Sequence, residues 1–300
     1  MKKLSSFITE KLQDKQTLLK QLASKSNLSD YVTYLNKMLQ NNDAKQVLIN
    51  AFIDGENPNY SFECETRNIK VTDLHPTQSE IDVNKSLGYP FLNMKAADAC
   101  MKMFFEDSYV KMPFPLITFN GKWIIDGHHR WSQVYTFNPK AEMECFDISV
   151  KGSKVSPNEM LKIVQGMLAA KRAEDGKGNI PSNKVEGANL FKMSEDEVKK
   201  TIISYCEGEG KEEIAERICS ASGNDTVEDL ADYLCDNLMK LQKDYKQDAA
   251  KGNNRGVMPQ TDKGGDDPDN PVTAEPDKEG SVLNKLDDKN TKTQHKVIKK

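Results

Sequence analysis

Apolar residues recur at helical spacing toward both ends of this chain and form short continuous or alternating runs only in its middle. Phe7-Ile8, Leu12, Leu18-Leu19 and Leu22 fall on one helical face, because residues three and four apart lie side by side. Ser29 is suited to cap a second helix carrying Tyr31-Val32, Tyr34-Leu35 and Met38-Leu39, and a third runs from Asp43 through Val47-Leu48 to Phe52. The turn cluster Asp54-Gly55-Glu56-Asn57-Pro58-Asn59 closes this N-terminal helical segment, residues 1–57.

The period then changes. Residues 61–64 and 70–74 read as strands, 76–87 as a polar loop, and 91–105 as a helix through Leu92, Met94, Ala96-Ala97, Cys100, Met103 and Phe104. Pro113-Phe114-Pro115 stops any helix, since proline lacks the amide donor and crowds the preceding turn. Two apolar runs, 116–119 and 122–125, flank Asn120-Gly121, a dipeptide that tolerates the positive φ of a type I′ hairpin turn. Residues 129–137 return to helical spacing and 142–150 to a strand. Residues 58–152 are therefore predicted to be α+β, a small mixed sheet with helices packed on it.

Beyond Lys151 only helical periods remain. Residues 158–173 are amphipathic, Ser194-Glu195-Asp196-Glu197 opens the next helix with acidic residues where the macrodipole favours them, and 212–219 and 227–241 continue the series. Residues 153–246 thus read as a helical bundle. Cast as a helix-turn-helix, 194–222 would offer DNA an acid-rich first turn, and a recognition helix without Arg or Lys there is a poor reader. From Lys246 to Lys300 there is no Phe, Trp or Tyr, and Gly, Pro, Asp, Asn and Lys dominate. Such a segment cannot bury enough surface to offset its ordering entropy, so 247–300 is predicted to be a disordered tail. Within it, residues 255–260 and 282–286 are candidate docking pieces for a protein partner.

Composition narrows the function classes. Lys+Arg 42 against Asp+Glu 46 gives a formal charge of -4, so any DNA contact needs a local basic patch. The mean hydropathy of -0.69 is low for a fully packed chain. Six cysteines, Cys64, Cys100, Cys145, Cys206, Cys219 and Cys235, are scattered without a Cys-x-x-Cys pair, which suits a reducing cytoplasm rather than a zinc or redox motif. No apolar run reaches bilayer-spanning length and the first residues lack a signal-peptide core, so the expectation is a soluble, cytoplasmic protein.

Candidate chemistry is densest at Ile124-Ile125-Asp126-Gly127-His128-His129-Arg130. A strand, a glycine and a helix opening with His-His-Arg bring backbone N–H groups and cationic side chains to one point, which favours an anion, most often phosphate. His128 could act as a general acid or base near neutral pH or as a metal ligand, and Asp126 could accept from a histidine ring or help hold Mg²⁺. Adjacent helical residues point about 100° apart, so His128 and His129 are not expected to share one ion. Upstream, Glu80 or Asp82 could serve as a base and Lys85 could hold a phosphate.

This motif resembles the signature of the ParB/sulfiredoxin-like superfamily, in which a strand ends in a glycine-containing, Arg-ending motif that holds nucleotide phosphates. The paired-histidine form is most similar to ParB-like nucleases. Upstream, Ile69-Lys70-Val71-Thr72-Asp73-Leu74-His75-Pro76-Thr77-Gln78 resembles the family's first strand and its Pro-Thr-Gln turn, and the apolar helix and strand between the two motifs follow the family's order. The resemblance covers roughly residues 60 to 150. It implies that Arg130 grips phosphate, that Gly127 lets the backbone approach it, that His129 makes a second contact, and that Thr77 and Gln78 face the same site. His128 stands where sulfiredoxin has its catalytic cysteine, and with no cysteine there sulfinic-acid reduction is not implied. The Glu-Asn-x-x-Arg element that completes the segregation protein's nucleotide switch does not occur between Lys151 and Phe191.

Two functional expectations follow. In one, the chain is an enzyme on a phosphate-containing substrate, a nuclease or a nucleotide-dependent hydrolase or kinase. It would use ATP or CTP and Mg²⁺, with His128, Asp126 and Glu80 catalytic and Gly127, His129, Arg130, Thr77, Gln78 and Lys85 on the phosphate. In the other, the fold is a non-catalytic DNA-binding or assembly scaffold, its helices and tail meeting a protein partner or a second copy of the chain. The resemblance places such a protein in a bacterial host cytoplasm or a phage particle.

Overall fold

The computed structural model describes residues 35–36, 39–40, 61–112, 115–151, 155–161, 163–164 and 188–252. Predictions for the N-terminal helices (beyond the helical pairs 35–36 and 39–40), for most of 152–187 and for the tail after Gly252 lie outside these residues. The chain divides into two compact units, one of Glu65–Ile148 with Lys184–Arg255, the other of Met1–Cys64, Ser149–Asn183 and Gly256–Lys300. In the second unit, Leu35, Leu39, Met160, Leu161, Ile163 and Val164 are buried, and the Gln40 amide donates to the Phe62 carbonyl at 2.9 Å.

The fold is α+β, as its sequence pattern predicts. Six strands, β1 (Ser61–Lys70), β2 (His75–Pro76), β3 (Tyr109–Val110), β4 (Leu116–Phe119), β5 (Trp123–Asp126) and β6 (Glu142–Lys151), form a sheet of order β1-β6-β4-β5-β2, with β3 also paired to β6. β4 and β5 are antiparallel, whereas β6 runs parallel to β4 and β2 parallel to β5. The hairpin turn between β4 and β5 has Asn120 at φ 54° and Gly121 at φ 63°, the left-handed pair a type I′ turn needs. A buried carboxylate locks it: Asp147 Oδ1 accepts from Thr118 Oγ1 and from the Gly121 amide, each at 2.8 Å, while Arg67 reaches Oδ2 at 3.3 Å. Between the pairs Ile117↔Asp126 and Thr118↔Ile124, β5 carries one extra residue, a bulge immediately before the Asp126-Gly127 junction.

Among the described residues six helices share this core, α3 with five others around it: α1 (Val83–Gly88), α2 (Met94–Met101), α3 (His128–Phe137), α4 (Glu195–Cys206), α5 (Glu212–Ser222) and α6 (Val227–Lys251). α3 is the hub. Eight of its ten residues are buried, including Trp131, Val134, Tyr135 and Phe137, and only His129 and Arg130 at its first turn are half-exposed. A helix buried all round must have its polar groups satisfied by neighbours. Ser132 meets Ser86 of α1 at 2.6 Å, and the Trp131 indole N–H donates to the Val71 carbonyl at 2.8 Å. At the C-terminal end, where helix carbonyls lose their internal partners, α6 supplies donors: Asn237 to the Thr136 carbonyl at 2.9 Å and Tyr233 to that of Phe137 at 2.7 Å.

The structure differs from the sequence-based expectation in several places. The stretch 70–74 is not a strand. β1 ends at Lys70, and Val71–Asp73 form a 3₁₀ turn. That turn buries both Val71 and Leu74 and offers the Val71 and Thr72 carbonyls to Trp131 and Tyr245. The expected polar loop 76–87 contains α1, whose N-cap Asp82 accepts from the Asn84 amide. The expected disordered tail 247–300 begins too early, because α6 continues to Lys251. Leu234, Leu238, Leu241, Tyr245 and Ala249 make one buried stripe along it, and Asp248 pairs with His75 Nδ1 at 2.5 Å. The expected separate bundle is not separate either. Residues 184–255 belong to the same unit as 65–148, because the apolar faces of α4, α5 and α6 close over the core that contains α3. α4 and α6 begin with reciprocal capping boxes, Ser194 with Glu197 and Thr226 with Asp229. Among the described residues no helix is long and apolar enough to cross a membrane.

A shared core has a direct consequence. Truncation after residue 187 should leave secondary structure in the far-ultraviolet spectrum but abolish the near-ultraviolet signal and the cooperative melt, as in a molten globule. A truncated chain that melts cooperatively with native near-ultraviolet bands would show that the sheet region folds without α4–α6.

Candidate functional site

The strand-to-helix junction is built on a position that only glycine fits. Gly127 sits at φ +100°, and a Cβ there would lie 2.7 Å from Arg130 Nη2 and collide with the Leu116 side chain. With the bulge in β5, this turns the chain so that Asp126 and Arg130 pair at 2.8 Å across the first helical turn. Gly127 thus brings the Arg130 guanidinium close to the backbone.

The two histidines diverge. His128 is 2 % exposed and points inward, where its Nε2 accepts the Thr77 backbone N–H at 3.0 Å. Thr77 Oγ1 donates to the Ile124 carbonyl at 2.5 Å and lies 3.3 Å from the same nitrogen. An accepting Nε2 carries no proton, so this imidazole nitrogen clasps the Pro76-Thr77-Gln78 turn to the α3 junction. The expectation of His128 as a general acid or base meets this contact at one of its two ring nitrogens, Nε2, which a backbone amide engages. Behind the turn, the C-terminus of α6 closes in; a Cβ on Gly252 would come within 2.8 Å of the Thr77 carbonyl oxygen. His75, flanked by Trp123 and Tyr245 rings, ties that same end through Asp248.

His129 faces the other way, into a pocket of about 460 Å³. It is lined by the cationic or imidazole side chains Lys85, His129 and Arg130, by Cys100, Met103 and Met112, and by Tyr89 and Gln133. No carboxylate is among the described lining residues. Met103 lies on Lys102–Glu106, a π-helical turn that extends α2 and is closed by the Asp107 amide on the Lys102 carbonyl at 2.9 Å. Such turns often mark functional positions. α1 and α3 lie side by side in one direction: the Asp82 amide donates to His129 Nε2 at 3.5 Å, so this ring too has one nitrogen on a backbone N–H, and Ser86 meets Ser132.

Of the residues expected on a phosphate, the structure therefore brings Lys85, His129 and Arg130 to one pocket. Thr77 and Gln78 are buried in the turn clasped by His128 and do not line that pocket, nor do Gly127, Asp126 and Glu80. Asp82 serves as the α1 N-cap. Tyr89, Cys100, Met103, Met112 and Gln133 were not singled out in the sequence; the one available signal was Gln133's place four residues after His129, on the same helical face. Burial pushes the Cys100 thiol up to about 12, so it is not a thiolate nucleophile at neutral pH. Asp126, the residue expected to help hold Mg²⁺, stands in an ion pair. Asp126 Oδ2 already accepts from Arg130, and among the described residues no group of three or more His, Cys, Asp or Glu is placed to hold a metal. Comparison with known proteins adds no relative: no family model matches the chain, and no curated protein or solved structure does.

Two measurements probe this geometry. Replacing His128 with Leu strips the Thr77 amide of its acceptor in a buried place and should cost about 1–3 kcal/mol in urea unfolding; an unchanged midpoint would show that the clasp is dispensable. Burial also holds Cys145 and Cys206 up to about 12 against an ordinary 9.0. A folded-state value raised in this way contributes stability that is complete below about pH 9 and lost as pH rises toward about 12. The urea midpoint should accordingly fall between pH 9 and 11, and a midpoint flat to pH 11 would contradict the assignment.

Proposed function

We propose that this chain is a ParB/sulfiredoxin-like protein that binds the phosphate of a small organic ligand in the pocket beside the α3 N-terminus. The observation that carries the reading is the convergence of Lys85, His129 and Arg130, from two helices, on a pocket with no carboxylate among its described lining residues. Lys85 and Arg130 supply positive charge, His129 an imidazole, and the first turn of α3 the positive end of a helix dipole. Asp126 offsets part of that charge but also holds the Arg130 guanidinium in place, which reduces the entropy lost on ligand binding.

The strand–glycine–helix junction and the mixed sheet support the family reading. The site is read as one that binds; a nuclease or phosphoryl-transfer step rests on the resemblance alone, because His128 and Glu80 do not line the pocket and His128 Nε2 accepts the Thr77 amide. A pocket of about 460 Å³ falls in the range of small-molecule sites.

The test is thermal unfolding with pyrophosphate, ATP, CTP, GTP and ADP, each with and without Mg²⁺. A ligand at a hundred times its Kd should stabilise by about 2.7 kcal/mol. Lys85→Ala and Arg130→Ala should remove most of that gain, while Lys199→Ala, which breaks the ion pair to Asp232 between α4 and α6, should keep it. Absence of a shift with every phosphate compound would sink the proposal.

A further inference from the structure

We propose that Gln133 is the specificity-determining residue of this pocket, reading a donor–acceptor edge on the ring of a small phosphorylated heterocycle whose phosphate lies against Lys85, His129 and Arg130. The inference rests on the phosphate-binding reading above and adds the chemistry of the rest of the ligand.

Gln133 is 6 % exposed and lines the pocket, and no described side chain or backbone group hydrogen-bonds its side-chain amide. An amide on a pocket wall that no described side chain meets is open to water or to a ligand. It offers both a carbonyl acceptor and an N–H donor, so it can pair side by side with any ring edge that presents the complementary two.

The pocket is graded along the helices in a way that fits such a ligand. α1 and α3 run together, with Asp82 beside His129 and Ser86 beside Ser132. Each carries its cation or imidazole first, Lys85 on α1 and His129-Arg130 on α3, and its second pocket residue four positions later, Tyr89 and Gln133. Four residues of helix advance about 6 Å, the separation between the phosphate and the ring in a small phosphate ester. The same pocket is lined by the thioethers of Met103 and Met112 and by the Tyr89 ring, surfaces that favour a flat, polarisable body. A phosphorylated sugar without a heteroaromatic base would leave Gln133 and these thioethers unused.

The experiment is calorimetric titration of the full chain with ribose 5-phosphate, AMP, CMP, GMP, UMP and a single-stranded DNA oligonucleotide. Wild type should bind at least one nucleoside monophosphate tenfold or more tightly than ribose 5-phosphate. Gln133→Met, of the same length and without polar atoms, should erase that preference and leave ribose 5-phosphate within twofold. Gln133→Glu, which keeps an acceptor but loses the amide donor, should change which base is preferred and keeps the test open should the first variant misfold. A preference retained in Gln133→Met, or no preference in wild type while ribose 5-phosphate binds, overturns the role of Gln133 and leaves phosphate binding standing. An oligonucleotide bound more tightly than every monophosphate overturns the small-ligand assignment. Failure of every probe to bind overturns both readings.

Discussion

Everything in the described part of this protein depends on burying one ten-residue helix on all sides. α3 has no solvent face beyond its first turn, so its hydroxyls, its indole and its last carbonyls must be met by other elements. Those elements come from far apart in sequence: Val71 before the hub, Ser86 on α1, and Asn237 and Tyr233 on α6. Removing any one leaves a buried polar group without a partner, a penalty larger than the net worth of the bond itself. This explains why helices that look like an appended bundle are part of the same core.

The same constraint shapes the site. A fully packed helix cannot rock or re-register without disturbing a close-packed interior, so the two side chains that escape at its N-terminus, His129 and Arg130, are presented from a rigid base. Gly127 and the β5 bulge set the angle at which they leave. Preorganisation of this kind suits recognition of a fixed anion, because little side-chain freedom remains to be lost on binding.

Paired histidines at such a junction invite a reading in which both act on the ligand. Helical geometry separates them: one turns into the core and clasps the Thr77 amide, the other turns to the pocket. The Pro-Thr-Gln turn is thereby tied to the junction through a side chain, while its own polar groups point inward. The chemistry legible in a motif and the geometry of that motif are thus separable, and here the inward histidine holds the scaffold that positions the outward one.

Local pattern alone determined a good deal. The type I′ hairpin at Asn120-Gly121, the strand–glycine–helix junction, the capped start of α4 and the α+β class follow from short-range sterics and period, which act within a few residues. The convergence of Lys85 with His129 and Arg130 was suggested by residue type, but not its pocket. Tertiary structure decided the rest, because it depends on partners distant along the chain. Val71–Asp73 gave up a strand for a 3₁₀ turn to serve Trp131 and Tyr245, and α6 ran on to Lys251 because Tyr245, Asp248 and Ala249 found contacts more than a hundred positions away or in the shared core. Gln133 and the Met103–Met112 wall carry no local signal; only the packing of α1, α2 and α3 makes them neighbours of the cations.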